Sequence, residues 1–184
     1  MNKSFYHQNE QQIYSEMEII EAAKKDLRHF EQLYNKYYEQ IFRYVYQRMD
    51  GKDVANDVTS QVFLKSMNNL TKFKFRGVPF SAWLFRIASN EVTQYYKDKS
   101  KQRTVQIQTD DIQDIIEDYN NLKGEQMDRI IEKIAELKDQ DLELIELRYF
   151  EKRKFKEISQ ILNISESNAK VKIHRIVSRI KRSL

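Results

Sequence analysis

Lys170, Val171, His174 and Arg175 lie in a run, ESNAKVKIHRIVSRIK, where Ala169, Ile173, Ile176 and Ile180 recur at helical spacing. Lys170 and His174 are i, i+4 neighbours, as are Val171 and Arg175, so these four fall away from the apolar stripe. The chemistry they offer is recognition of a polyanion: Arg and Lys suit phosphates and guanine edges, and a Val can meet a thymine methyl. Just before them, FKEISQIL supplies about two turns with Ile158, Ile161 and Leu162 inward, and NIS makes a short turn with Ile164 buried. Ser165 then precedes the second helix. This is helix-turn-helix grammar, and its second helix is shaped to enter a major groove. The bland alternative is a helical hairpin with a wet basic face.

Covalent chemistry has little to work with. The three His, at 7, 29 and 174, show no paired spacing, and there is no Gly-rich phosphate loop or Ser/His/Asp arrangement. The absence of Cys excludes disulfides and thiolate metal sites and fits a reducing compartment. Asp110 with Asp111, or Asp139 with Asp141, could hold a divalent cation in a helical nuclease. They lie mostly in an expected linker and lack a matching ligand set, which favours a solvated acidic segment. No cofactor, no metal and no enzymatic activity are expected.

The elements that must position these residues are helices. Three Gly and one Pro in 184 residues, with abundant Leu, Ile, Glu, Lys and Gln, predict an all-α protein. No apolar run reaches the roughly 18 residues of a membrane span, and MNKSFYHQNEQQ lacks a signal-peptide core, so a cytoplasmic protein without membrane insertion is expected. Residues 1–25 read as a polar arm. Leu27, Phe30, Leu33, Tyr34, Tyr37, Tyr38, Ile41, Phe42 and Val45 predict a long amphipathic helix. A second helix follows the MDGKD break, with Val54, Val58, Val62 and Phe63 on one stripe, and a third carries Phe80, Trp83, Leu84, Ile87 and Ala88 inward. These helices form one domain over 26–100. Residues 101–125 read as an acidic linker, and 126–184 rebuild periodicity as a second domain ending in the helix-turn-helix.

Charge is partitioned along the same lines. Residues 1–109 hold 17 Lys and Arg against 12 Asp and Glu; residues 110–147 hold 4 against 13; residues 148–184 hold 11 against 3. A basic surface persisting on a folded segment points to a polyanionic partner, with a plain solvated face as the alternative.

Two separated blocks resemble a bacterial RNA polymerase sigma factor of the sigma-70 family, extracytoplasmic-function subfamily. The first is FEQLYNKYYEQIFRYVYQRM, DVTSQVFLKSMNNLTKFKF and FSAWLFRIASNEVTQYYKDK; the second is LELIELRYFEKRKFKEISQILNISESNAKVKIHRIVSRIKRSL. LRYF followed by a helix-turn-helix is shared with other DNA binders, whereas FSAWLFRIASN behind a DVTSQVF-type helix is much more specific. The resemblance implies a sigma region 2-like helical bundle and a sigma region 4-like helix-turn-helix domain on a flexible linker. It implies core RNA polymerase (clamp and flap) and promoter DNA as partners, with an anti-sigma factor as a further candidate.

By the same resemblance, Asp57, Ser60, Gln61, Phe63 and Leu64 lie on or beside the helix that docks on the clamp, Phe63 and Leu64 partly serving the core. Thr59, Ser60 and Gln61 stand where the family usually has Thr-Gln-Glu. Asn90, with Gln94, Lys97 and Arg86, maps to minus-10 recognition, Asn90 meeting an unstacked non-template base. Arg76, Lys99 and Lys101 are candidate phosphate contacts, Tyr95 and Tyr96 candidate stacking platforms, and Trp83 and Phe80 are expected in the core. Arg148, Lys170, Val171, His174 and Arg175 map to the minus-35 element. Ser167, Asn168 and Ala169 replace the common Gly-Thr-Val. Lys152, Arg153, Lys154 and Lys156 read as DNA-backbone contacts or flap neighbours, and the linker as an occupant of the RNA-exit path. The alternatives are a polymerase-independent helix-turn-helix regulator and the nuclease.

Overall fold

The computed structural model describes residues 10–99, Ile115 and 125–182, as helices and turns without a β-strand among them. The chain divides into two compact units, Met1–Thr104 and Val105–Leu184. The linker expected over 101–125 lies, apart from Ile115 and the start of a helix at Glu125, outside the described residues, as do Lys101 and the pair Asp110 and Asp111.

In the first unit α1 spans Glu10–Lys25, α2 Phe30–Tyr46, α3 Lys52–Asn68 and α4 Phe80–Lys99. The polar arm expected over 1–25 is therefore, from Glu10, a helix: Ile20 and Ala23 are buried against its neighbours. One apolar face on a mostly polar helix is enough to dock it. Asp26 then halts the chain, its side chain accepting from the backbone N–H of Arg28 (3.0 Å) at the start of a 3-10 turn. Hence Leu27, expected on the α2 stripe, is 51 % exposed. From Phe30 the predicted spacing holds, and Phe30, Leu33, Tyr37, Ile41, Tyr44 and Val45 are buried. Gly51, at φ 111°, supplies a backbone conformation that L side chains rarely adopt, just before α3.

Helix α4 packs Phe80, Leu84, Phe85 and Ala88 inward. Phe85, absent from the predicted stripe, is fully buried with its ring edge-on to Tyr44 at 4.9 Å, while Trp83 and Ile87 are only half-buried. The apolar arc is turned by about one residue relative to the expectation because α4 faces both α2 and α3. Tyr96, a candidate stacking platform, is buried instead: its hydroxyl donates to the Arg48 carbonyl (2.6 Å), tying α4 to the end of α2. Arg48 is itself buried, stacked 3.7 Å over the Tyr44 ring and donating to the Tyr44 carbonyl.

The second unit holds α5, Glu125–Ala135; α6, Asp139–Ile145; α7, Phe155–Leu162; and α8, Glu166–Lys181. Helix α6 runs on into a wide π-type turn over Glu146–Phe150, where Glu151 N–H donates to the Glu146 carbonyl at 2.9 Å. Asn163 ends α7 in the left-handed conformation (φ 55°), a role Asn tolerates better than most residues. Two residues on, the Ser165 hydroxyl accepts from Asn168 N–H (3.2 Å) and starts α8. Ala169, Ile173, Ile176 and Ile180 are buried, as their spacing predicts.

Candidate polymerase and nucleic-acid interfaces

On α3, four of the five predicted residues form one outward stripe. Asp57, Ser60, Gln61 and Leu64, at i, i+3, i+4 and i+7, are all exposed, Leu64 by 50 %. The Ser60 hydroxyl turns back to the Asn56 carbonyl (2.8 Å). Phe63, the fifth, is buried, as its place on the inward stripe of this helix predicts, and does not join the outward set: it is 2 % exposed, with the Tyr34 and Tyr38 rings at 4.7 and 6.0 Å. It holds the stripe from beneath and offers no surface of its own. Tyr34 packs there in part, and its hydroxyl pKa is raised by burial and by the neighbouring Tyr38.

Helix α4 presents a second surface. A cavity of about 360 Å³ is walled by Lys65, Asn69 and Lys72 on one side and by Trp83, Arg86 and Asn90 on the other, with Ile87 and Glu91 completing it. Its volume lies at the low end of small-ligand sites and suits a planar ring. Asn90 is exposed at its edge, and the half-buried Trp83 gives it an aromatic wall, so Trp83 is not the wholly core residue expected. Lys65 bridges to Glu91 (2.6 Å) and Lys72 donates to Asn69 (3.1 Å), leaving Arg86 as the cation contributed by α4. Gln94 and Lys97 continue along the helix as residues outside the cavity, Gln94 donating to Asp98 at 2.6 Å.

The third surface is α8. Lys170, Val171, His174 and Arg175 are all exposed, Val171 by 47 %. Lys170 pairs with Glu166 (2.7 Å), an exposed contact worth about 0–1 kcal/mol that a phosphate can displace. Arg148 comes from the π-type turn, yet the fold brings it beside α8: its guanidinium lies 4.6 Å over the Phe155 ring, and Lys170 lies 5.6 Å from the same ring. Arg148 also donates to the Arg153 carbonyl (3.1 Å). Sequence reasoning misses Phe155 because inside KRKFKE it reads as one more inward residue. The available signal is that it is the one aromatic in a basic run. Among the candidate backbone contacts, Lys154 is exposed and Lys156 likewise, but Arg153 is 2 % exposed, so its charge is committed inside the domain.

Among the described residues no group of three or more His, Cys, Asp or Glu is placed to hold a metal ion, and no helix is long and apolar enough to cross a membrane. Asp141, of the pair with Asp139, bonds Arg179 at 3.0 Å.

These three surfaces sit on segments that match known families. Residues 33–102 match the family described as sigma-70 region 2, and residues 127–180 match sigma-70, region 4. The chain belongs to the sigma-70 family. Among curated proteins, this sigma factor is 28 % identical over 178 residues to the ECF RNA polymerase sigma factor BldN of Streptomyces coelicolor, covering 91 % of this chain and 65 % of BldN, just under two thirds of that relative's length. It is 27 % identical over 161 residues to the RNA polymerase sigma factor YlaC of Bacillus subtilis, covering 84 % of this chain and 91 % of YlaC. These likenesses make it a sigma factor of the extracytoplasmic-function group. A solved structure of CnrH, in complex with the cytosolic domain of CnrY, shares the fold with a TM-score of 0.59 at 20 % identity, over 89 % of this chain and 93 % of that one. The α3 stripe and the α4 cavity fall in the region 2 match, and α8 falls, but for its last residue, in the region 4 match.

Proposed function

We propose that this sigma factor binds core RNA polymerase through the outward stripe of α3, opens and reads the minus-10 element with α4, and reads the minus-35 element with α8, so directing initiation at specific promoters. It works in the cytoplasm as a regulator and catalyses no reaction. The cavity beside Asn90 carries the reading: an amide at its edge, an aromatic wall and flanking cations suit an unstacked base and its phosphates. Asn90 hydrogen-bonds the flipped base, Trp83 covers its face, and Arg86 holds the strand, joined by Lys65 and Lys72 once a phosphate displaces their exposed contacts to Glu91 and Asn69. In the second unit Lys170 and Arg175 read base edges, Val171 supplies an apolar contact, and Arg148, steadied on Phe155, holds the backbone. An anti-sigma factor is a further candidate partner, competing with polymerase for the α3 face; CnrH was solved in complex with a second chain, the cytosolic domain of CnrY.

The test is run-off transcription with core polymerase on a genomic promoter library, followed by strand opening at a minus-10 element carrying a fluorescent base. Asn90→Ala should lower opening by about tenfold, the effect of a lost hydrogen bond to a bound base, while polymerase binding stays as in the wild type. Undiminished opening by Asn90→Ala, or no initiation by the wild type, refutes the reading. Tight duplex binding that is equal with and without polymerase would point instead to a polymerase-independent regulator.

A further inference from the structure

Helix α1 holds a carboxylate that the three surfaces do not use. Glu16 is 2 % exposed, an unusual place for a charge unless donors surround it. Three donors do so. Lys36 Nζ donates to Oε1 at 2.6 Å and the Tyr37 hydroxyl donates to the same oxygen, while Oε2 accepts the backbone N–H of Phe80 at 3.0 Å. Phe80 is the first residue of α4, so a side chain from α1 caps the helix that carries the cavity.

The grip is repeated along the segment 73–79 that leads into α4. At its start, Lys24 of α1 donates to the Phe73 carbonyl (3.1 Å) and lies 5.9 Å from the Phe73 ring. Midway, Tyr14 of α1 meets Phe75 with ring centroids 5.9 Å apart. The held residues are also those that support the cavity wall: the Phe73 and Phe80 rings lie 5.2 and 5.3 Å from Trp83. A continuous path therefore runs from Glu16 and Lys24, through Phe80 and Phe73, to Trp83 and the space beside Asn90.

We propose that Glu16 is a positioning residue for strand capture, and that α1 is a brace fixing the segment 73–79 so that Trp83 stands at the right depth for an unstacked base. The proposal rests on the reading of the α4 cavity as the site of that base. Glu16 and Lys24 touch no nucleic acid; they act through Phe80 and Phe73. The α3 stripe and the second unit lie outside this path, so polymerase docking and minus-35 binding should not respond to it.

Full-length protein carrying Glu16→Ala, Glu16→Gln or Lys24→Met is assembled with core polymerase and titrated with a fluorescent single strand bearing the minus-10 sequence. Affinity for core polymerase and the melting temperature of each free variant are measured alongside. Glu16→Ala should weaken capture of the strand by about tenfold, as expected for loss of one buried charged hydrogen-bond partner, with polymerase affinity unchanged. Glu16→Gln keeps an acceptor for Phe80 N–H but turns its amide N–H toward the donors Lys36 and Tyr37, so it should recover part of the loss. Lys24→Met, which frees the Phe73 end and breaks only the exposed i, i+3 pair with Glu21 (2.7 Å) besides, should weaken capture by about threefold. If Glu16→Ala fails to fold, Lys24→Met becomes the deciding variant, since the Lys24 side chain keeps 20 % exposure and its removal disturbs the interior less. Strand capture unchanged in all three variants, or in Lys24→Met where it decides alone, overturns the brace, as does a loss of polymerase and strand binding in step with the unfolded fraction. A wild-type complex that does not take up the single strand overturns the cavity reading itself.

Discussion

Leu64 and Phe63 are neighbours on α3 with opposite surroundings, and truncating each in turn separates docking from folding. Leu64 is 50 % exposed and Phe63 2 %. Fully burying a Leu side chain is worth about 1.5–3 kcal/mol, so covering the exposed half of Leu64 on polymerase contributes about 0.8–1.5 kcal/mol. Leu64→Ala should then weaken polymerase binding by roughly four- to twelvefold. It opens no cavity in the free protein, whose stability should stay within about 0.5 kcal/mol of the wild type. Phe63→Ala removes a ring packed on Tyr34 and Tyr38 and should cost about 3–5 kcal/mol of the first domain's stability. The paired assay is anisotropy of labelled protein titrated with core polymerase, together with thermal melts by circular dichroism. A Leu64→Ala protein that binds polymerase like the wild type, or that melts as early as Phe63→Ala, refutes the assignment of an outward docking stripe over a buried support.

Ile173→Ala, at a site 3 % exposed, should cost about 2–5 kcal/mol of second-domain stability, read as an earlier melt, without altering minus-35 sequence preference where the domain stays folded. Lys170→Ala and Arg175→Ala should lose about 1–3 kcal/mol on promoters carrying the preferred base and much less on others, measured on a minus-35 substitution series at several salt concentrations. Arg179, held by Asp141 at 3.0 Å, should behave differently: Arg179→Ala should leave that preference intact and cost at most about 1 kcal/mol of stability. Asp26 has its carboxyl pKa held down by the side chain of Arg28 and then by the Arg28 backbone N–H. Because its folded pKa lies below its unfolded one, its contribution is present above the ordinary carboxylate range and fades as pH falls through the lowered value. Carbon-13 NMR titration should place its midpoint below that of an exposed Asp and return it upward in Arg28→Ala.

What the chain determines locally is the helices and, for several of them, the face that turns inward. Ala169, Ile173, Ile176 and Ile180 are buried, and Lys170, Val171, His174 and Arg175 are exposed, because a period of 3.6 residues assigns both faces once one is apolar. The same rule left Asp57, Ser60, Gln61 and Leu64 outward on α3. The short turn at NIS and the helix start after Ser165 are legible as well, from residue type and not from period, and the structure adds that Asn163 takes the left-handed conformation there. Tertiary structure decided what periodicity does not encode, namely which neighbour each face meets. Contact with both α2 and α3 rotated the arc of α4, burying Phe85 and leaving Trp83 to line a cavity. Packing turned the polar residues from Glu10 to Lys25 into a helix whose Glu16 reaches Phe80, 64 positions along the chain. In the second unit it brought Arg148 and Lys170 to the one ring of Phe155, from segments that the sequence keeps apart. A side chain's own neighbours set its helix and face, whereas a charge buried against distant donors, or two cations sharing one ring, exists only after the helices have packed.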